Sequence, residues 1–171
     1  MNHRTFAVNR NASLLIRSLL VCLVLWQADL RAPAAPAGSI DDCQYADAAA
    51  AQKAWRSLWG TAPAELATVE GRNVLRLPCN FKGTTIERAS WDRTVALDLT
   101  TSRGIEFQIQ CADSSPVSHF SLYLESGSGW YNASFYPEST KGWNTISLDK
   151  AAFGTEGKPA GWGKIQTIRL S

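Results

Sequence analysis

The chain has 171 residues, 45% of them apolar and 19% charged, with 12 glycines and 7 prolines. That balance is globular and excludes a long disordered chain, a collagen-like repeat and a coiled coil. The formal charge of +2 comes from the basic start of the chain; the remainder is close to neutral and carries no electrostatic footprint for nucleic acid or an anionic membrane.

Arg4, Arg10 and Arg17 stand in a stretch without acidic residues, and Ser18–Trp26 (SLLVCLVLW) is an apolar run closed by Asp29 and Arg31. The run is too short to span a bilayer. A basic start, a short apolar run and small residues form the layout of a secretory signal peptide over residues 1–37, with Ala32-Pro33-Ala34 or Ala35-Pro36-Ala37 as cleavage sites. An uncleaved anchor is the alternative. Export predicts an extracellular or periplasmic protein in which residues 38–171 form one domain, long enough to bury roughly two thirds of its unfolded surface.

Cys43, Cys79 and Cys111 lie beyond the leader, so at most one intramolecular disulfide can form. Cys79 shares the parity of Leu75 and Leu77, and Cys111 that of Ile105, Phe107 and Ile109. Both therefore point to the core, as a Cys79–Cys111 disulfide or as buried thiols. No CxxC or Cys/His spacing occurs, so a zinc site is not expected, and no metal or other cofactor is assigned.

Asp47 followed by Ala48–Trp55 (AAAAQKAW) reads as one short helix, N-capped by Asp47 and ended near Gly60. Beyond it the period is two. Strands are predicted at Glu65–Glu70, Asn73–Asn80, Thr85–Trp91, Thr94–Thr100, Gly104–Ala112, Val117–Glu125, Trp130–Tyr136, Trp143–Leu148 and Thr167–Ser171, separated by turn formers that include Asp92-Arg93 and Ser126–Gly129. This is an all-β pattern, an antiparallel β-sandwich with one short helix. The predicted core holds Leu75, Leu77, Val95, Leu97, Leu99, Ile105, Phe107, Ile109, Phe120, Leu122, Leu124, Phe135, Ile146, Leu148, Ile168 and Leu170.

One hairpin can be set in register. With Ser126–Gly129 as its loop, Phe120 faces Phe135, Leu122 faces Ala133 and Leu124 faces Tyr131 on an apolar side. The other side then places His119 opposite Tyr136, Ser121 opposite Ser134, Tyr123 opposite Asn132 and Glu125 opposite Trp130. Rings that stack on the C–H face of a pyranose, interleaved with groups that bind hydroxyls, are what sugar recognition needs. His119, Tyr123, Glu125, Trp130, Asn132 and Tyr136 are accordingly candidate carbohydrate-binding residues. The competing reading buries this face under the helix or the loop around Phe153 as ordinary packing.

Catalysis has less support. Glu87, Asp92, Glu106 and Glu125 are scattered, His119 has no neighbouring Asp, and no G-x-S-x-G elbow occurs. Arg88, Trp91 and Asp92 cluster where a turn is expected, with Arg88 either a ligand clamp or the ion-pair partner of Asp92. The sequons Asn11-Ala12-Ser13 and Asn132-Ala133-Ser134 lie in the leader and in a predicted strand, and carry no argument.

Several segments also carry a family resemblance. Cys79-Asn80-Phe81, Glu87–Asp92 (ERASWD), Ser115–Phe120 (SPVSHF), Gly129-Trp130-Tyr131, Gly142–Ile146 (GWNTI) and Pro159–Trp162 (PAGW) together resemble the N-terminal galactose-binding-like β-sandwich of secreted bacterial glycoside hydrolases. The resemblance spans nearly all of residues 38–171. It implies a jelly roll with a non-catalytic, carbohydrate-binding accessory role, a polysaccharide or glycan as partner, and a separate catalytic domain; a purely structural sandwich is the alternative. In the resembled proteins a further closing strand follows the stretch matching Ile165–Leu170, so the chain reads as a fragment with an unpaired, aggregation-prone edge beside its last strand. In the exported product, intact-mass spectrometry should place the mature N-terminus between Ala28 and Ser39; a mature chain retaining Met1 contradicts the signal peptide.

Overall fold

A computed structural model describes residues 38–171. The expected leader lies outside the described residues. Gly38–Asp42 belong to one compact unit and Cys43–Ser171 to another, which holds every element below. No described helix is long and apolar enough to cross a membrane.

The alanine run makes the helix. α1 spans Ala48–Ala54, and the Asp47 carboxylate accepts the Ala50 N–H at 2.8 Å, filling one of the donors that a helix start leaves open. Trp55 closes it through its N–H to the Ala51 carbonyl. The chain then enters strand β1 (Arg56–Ser57) and turns through Trp59 and Gly60, both at positive φ (50° and 81°).

β2 (Glu65–Val69) and β3 (Arg72–Arg76) form a hairpin in which Val69 pairs with Arg72. Its two central residues, Glu70 and Gly71, both take positive φ (52° and 76°), as a tight turn matched to strand twist requires. The strand predicted over Thr85–Trp91 is not formed. Residues 77–90 instead run as an irregular loop, tied back by Asn80, whose side chain receives the Ala62 N–H at 2.8 Å and donates to the Gly60 carbonyl at 3.2 Å.

β4 (Trp91–Leu97) starts where the Trp91 indole N–H reaches the Ala62 carbonyl at 2.9 Å. Asp92 and Arg93, expected in a turn, lie within this strand because the Asp92 carboxylate is bound across the sheet and does not fold back on its own backbone. β5 (Gly104–Cys111) pairs along its whole length with β7 (Gly142–Asp149). Gly104 is required there, since a Cβ at this position would stand 2.1 Å from the Leu148 carbonyl oxygen.

β6 is the longest strand element, Phe120–Phe135, and a straight strand of that length would hold its ends roughly 50 Å apart. Instead Phe120 stacks on Phe135 with ring centroids 5.5 Å apart, and the Ser121 and Ser134 hydroxyls stand at 3.4 Å. β6 therefore doubles back on itself, joining the pairs expected for a hairpin over Ser126–Gly129. At the bend Gly127 has φ 62°, and a Cβ on Gly129 would come within 2.6 Å of the backbone crossing it.

A single-turn 3-10 segment (Lys150–Ala152) precedes β8 (Gly154–Pro159), and β9 (Ile165–Leu170) is the last element in chain order. The larger sheet has the order β1-β4-β9-β6-β8, with antiparallel neighbours throughout. The last strand is thus interior, and the unpaired edge expected beside Thr167–Ser171 does not exist. Ile168 and Leu170 pair with strands on both sides, which places them under the apolar face. β8 occupies one edge and carries Glu156, Lys158 and Pro159, residues that discourage edge pairing.

The chain is mostly β and antiparallel. Its core holds Leu122, Leu124, Ala133, Phe135, Ile146, Leu148, Ile165 and Ile168, with Phe107 of β5 meeting Phe135 of β6 edge-on at 5.3 Å. A second cluster gathers Ala64, Ala89 and Trp91 beneath Trp55, Leu75 and Leu77. Trp91 was not expected in the core, and it enters because the strand starts at it rather than ending there.

Of the two expected readings for Cys79 and Cys111, the structure has the free thiols, with Cys79 exposed and Cys111 half-buried. β3 ends at Arg76, so Cys79 leaves the strand before its parity can aim it inward. Desolvation pushes both thiols above their ordinary range, and for Cys79 the neighbouring Cys111 adds to the effect.

Truncating Leu124, fully buried in the central strand pair, removes contacts on every side. Leu124→Ala should cost about 2–5 kcal/mol in urea unfolding, against little for an exposed residue such as Thr145.

Candidate functional site

One face of the larger sheet carries the polar and aromatic residues. Register sets them in rows: Arg56, Asp92, Arg169 and Tyr123 lie side by side across β1, β4, β9 and β6, and Thr94, Thr167 and Glu125 form the next row. Alternation makes this the side away from Trp91, Ile168 and Leu124.

Arg169 is the hub. Its Nε and Nη2 donate to the two oxygens of Asp92 at 2.7 and 2.9 Å, a bidentate pair with side chains only 20% and 10% exposed. Its guanidinium carbon also lies 4.5 Å from the Trp130 ring centre and 4.9 Å from that of Trp59. The bond to Asp92 raises the Arg169 pKa further, with Glu125 and Tyr123 acting in the same sense, so the cation is fixed.

The expected residues settle around this hub unequally. Tyr123 meets Trp130 edge-on with centroids 6.3 Å apart. Glu125 accepts the Thr167 hydroxyl at 2.5 Å, and Asn132 donates to Glu156 at 2.9 Å. These four are half-buried. Tyr136 and His119 are exposed, with Tyr136 at 65% and the His119 Nδ1 beside the Ser118 hydroxyl. Arg88 is exposed in the loop before β4 and does not pair with Asp92 as expected, because Arg169 occupies that carboxylate from the adjacent strand.

The face is not covered by the elements that threatened to bury it. α1 packs on β1, β2 and β4, and its closing residue Trp55 takes Arg93, which alternates to the opposite side from Asp92. Phe153 packs on Trp162, whose ring stacks on Tyr131 at 4.0 Å, again on the side away from Tyr123.

Trp59, Asp92, Thr167 and Arg169 are the residues that pattern-reading missed as site members. Trp59 sits in a turn, 62% exposed, with Arg169 against its ring. An aromatic beside a turn glycine and an arginine between the inward Ile168 and Leu170 were the available signals. The row of contacts fixes ring planes and polar groups in place. Among the described residues, no group of three or more His, Cys, Asp and Glu converges to hold a metal ion.

Removing one partner of a largely buried ion pair strands the other. Asp92→Ala should lower the unfolding free energy by about 3 kcal/mol; a loss below about 1 kcal/mol would mark the pair as an ordinary surface bridge. Comparison with family models, curated proteins and solved structures returns no match, leaving this geometry and the local residue pattern to carry the functional reading.

Proposed function

We propose that the chain is a secreted, non-catalytic carbohydrate-binding domain, a jelly-roll β-sandwich of the kind that accompanies glycoside hydrolases. The observation that carries the reading is the Trp59 ring, 62% exposed yet held against Arg169 of the polar row. A fixed aromatic plane in water supplies a stacking surface for the C–H face of a sugar, with little ordering left to do on binding. Glu125 and Asn132 supply groups for hydroxyls, and Tyr136, just past the end of β6 and 65% exposed, offers a further aromatic ring. The family resemblance and the all-β antiparallel architecture support the same reading, and the partner it implies is a polysaccharide or other glycan.

A second reading has its own observation. Arg169 lies over one face of both indoles, but Trp130 is half-buried where Trp59 is 62% exposed, which favours a purely structural staple at Trp130. The platform therefore moves from Trp130 and Tyr123 to Trp59.

Affinity electrophoresis and calorimetry against plant and microbial polysaccharides separate the two. Binding should weaken about fivefold or more in Trp59→Ala, matching about 1 kcal/mol for a stacked ring, and should also weaken in Tyr136→Ala. Absence of binding across the panel supports the structural staple, and glycoside turnover by the chain contradicts both.

A further inference from the structure

We infer that the outer edge of β5 is a dimerisation surface, on which β5 of a second copy of this chain adds as an antiparallel strand. β5 pairs with β7 on one side, and among the described residues no strand runs along its other side. The Lys150 N–H bonds the Arg103 carbonyl at 3.0 Å, in the same register as the β5–β7 ladder. Alternation from that bond turns the backbone groups of Ile105, Phe107, Ile109 and Cys111 toward β7. The N–H and C=O groups of Gly104, Glu106, Gln108 and Gln110 therefore point out from the free edge.

Other edges are guarded and this one is not. β8 carries Glu156, Lys158 and Pro159, β1 is only 2 residues long, and the short β2 and β3 carry Glu65, Arg72 and Arg76. β5 runs for 8 residues without lysine or proline, and its one charged residue is Glu106. β7 is equally long, but its inward Asn144, Ile146 and Leu148 are already buried, whereas Ile105, Phe107 and Ile109 of β5 are half-buried. A strand laid beside β5 covers apolar surface as well as pairing backbone groups.

β5 also complements itself. A two-fold axis at Phe107 sets Phe107 against Phe107, Ile105 against Ile109, and Glu106 against Gln108 of the second copy. The apolar residues then meet in the non-hydrogen-bonded pairs, where strands bring side chains closest, while Glu106 with Gln108 and Gly104 with Gln110 exchange backbone bonds. No like charges stand directly opposite. Arg72, whose guanidinium donates to the Gln108 side chain at 3.2 Å, is placed beside the carboxylate that Glu106 of the second copy brings to Gln108. Pairing joins β7-β5 to β5-β7 in one continuous sheet, in place of two isolated strand pairs.

Sedimentation of the full chain, with a thiol reductant to keep Cys79 and Cys111 from linking copies, should show a concentration-dependent equilibrium of monomer and dimer. Hydrogen exchange should slow at the Glu106, Gln108 and Gln110 amides in concentrated against dilute samples, and stay unchanged at Trp143, Thr145 and Ser147 on the outer edge of β7. Gln108→Pro removes an outward N–H from each copy without touching the ladder to β7, and should weaken dimerisation about tenfold or more with an unchanged far-ultraviolet circular dichroism spectrum. Gln108→Glu, which keeps a side-chain acceptor for Arg72 but sets a carboxylate opposite Glu106, should weaken it about threefold or more, and less so as salt is raised. A chain that stays monomeric at about 1 mM, protection that appears on the β7 edge instead, or a dimer equally tight in Gln108→Glu overturns the proposal.

Discussion

The Asp92–Arg169 pair is the constraint on which the polar face depends. It joins β4 to β9 at the row where Tyr123 of β6 also pairs, so one bidentate contact fixes positions across three neighbouring strands. The guanidinium then serves as the surface on which Trp59 and Trp130 rest. A lysine would keep the charge but lose both the fork that matches Asp92 and the planar group that stacks on the indoles. Beneath it, the apolar alternation of Ile168 and Leu170 holds β9 in the sheet, so the pair orients a strand that hydrophobic burial has already placed.

A second dependence lies at the bend of β6. The connection from β8 to β9 crosses the bend there: Ala160 donates its N–H to Ser126, the Ser126 hydroxyl donates to the Gly161 carbonyl at 2.7 Å, and Gly127 donates to Gln166. Glycines at 127, 129 and 157 allow backbones to approach where any Cβ would collide. That crossing lets β8 flank one part of β6 while β9 flanks another, and it brings Glu156 to Asn132 and Thr167 to Glu125.

Period-two alternation made much of this legible. It located β2, β5 and β7 closely, and the Phe120–Phe135 and Ser121–Ser134 contacts follow from matching apolar faces across the Ser126–Gly129 bend. It did not locate β8, because Gly154–Pro159 (GTEGKP) has no apolar side to reveal an edge strand lying in water. It misplaced the start of β4, since Ala89-Ser90-Trp91-Asp92 mixes turn formers with core residues and only a distant arginine settles Asp92 in the strand. The position of β9 was misjudged for a related reason: alternation tells which side of a strand is apolar, not how many neighbours it has. At the site, Tyr123, Glu125, Trp130 and Asn132 were readable from one hairpin. Trp59 and Arg169 were not, being contributed by a turn and a strand far away in sequence.

Docking of a glycan on the exposed Trp59 ring, held by Arg169, is the proposal on which the function rests. The most direct measurement is an amide and indole nitrogen–proton NMR titration of the chain with a soluble neutral oligosaccharide. Saturable shifts are expected in the Trp59 indole and Arg169 side-chain signals at the same concentration, with little change in the buried Trp91 indole. Shifts confined to other residues, or none at millimolar oligosaccharide, would contradict it.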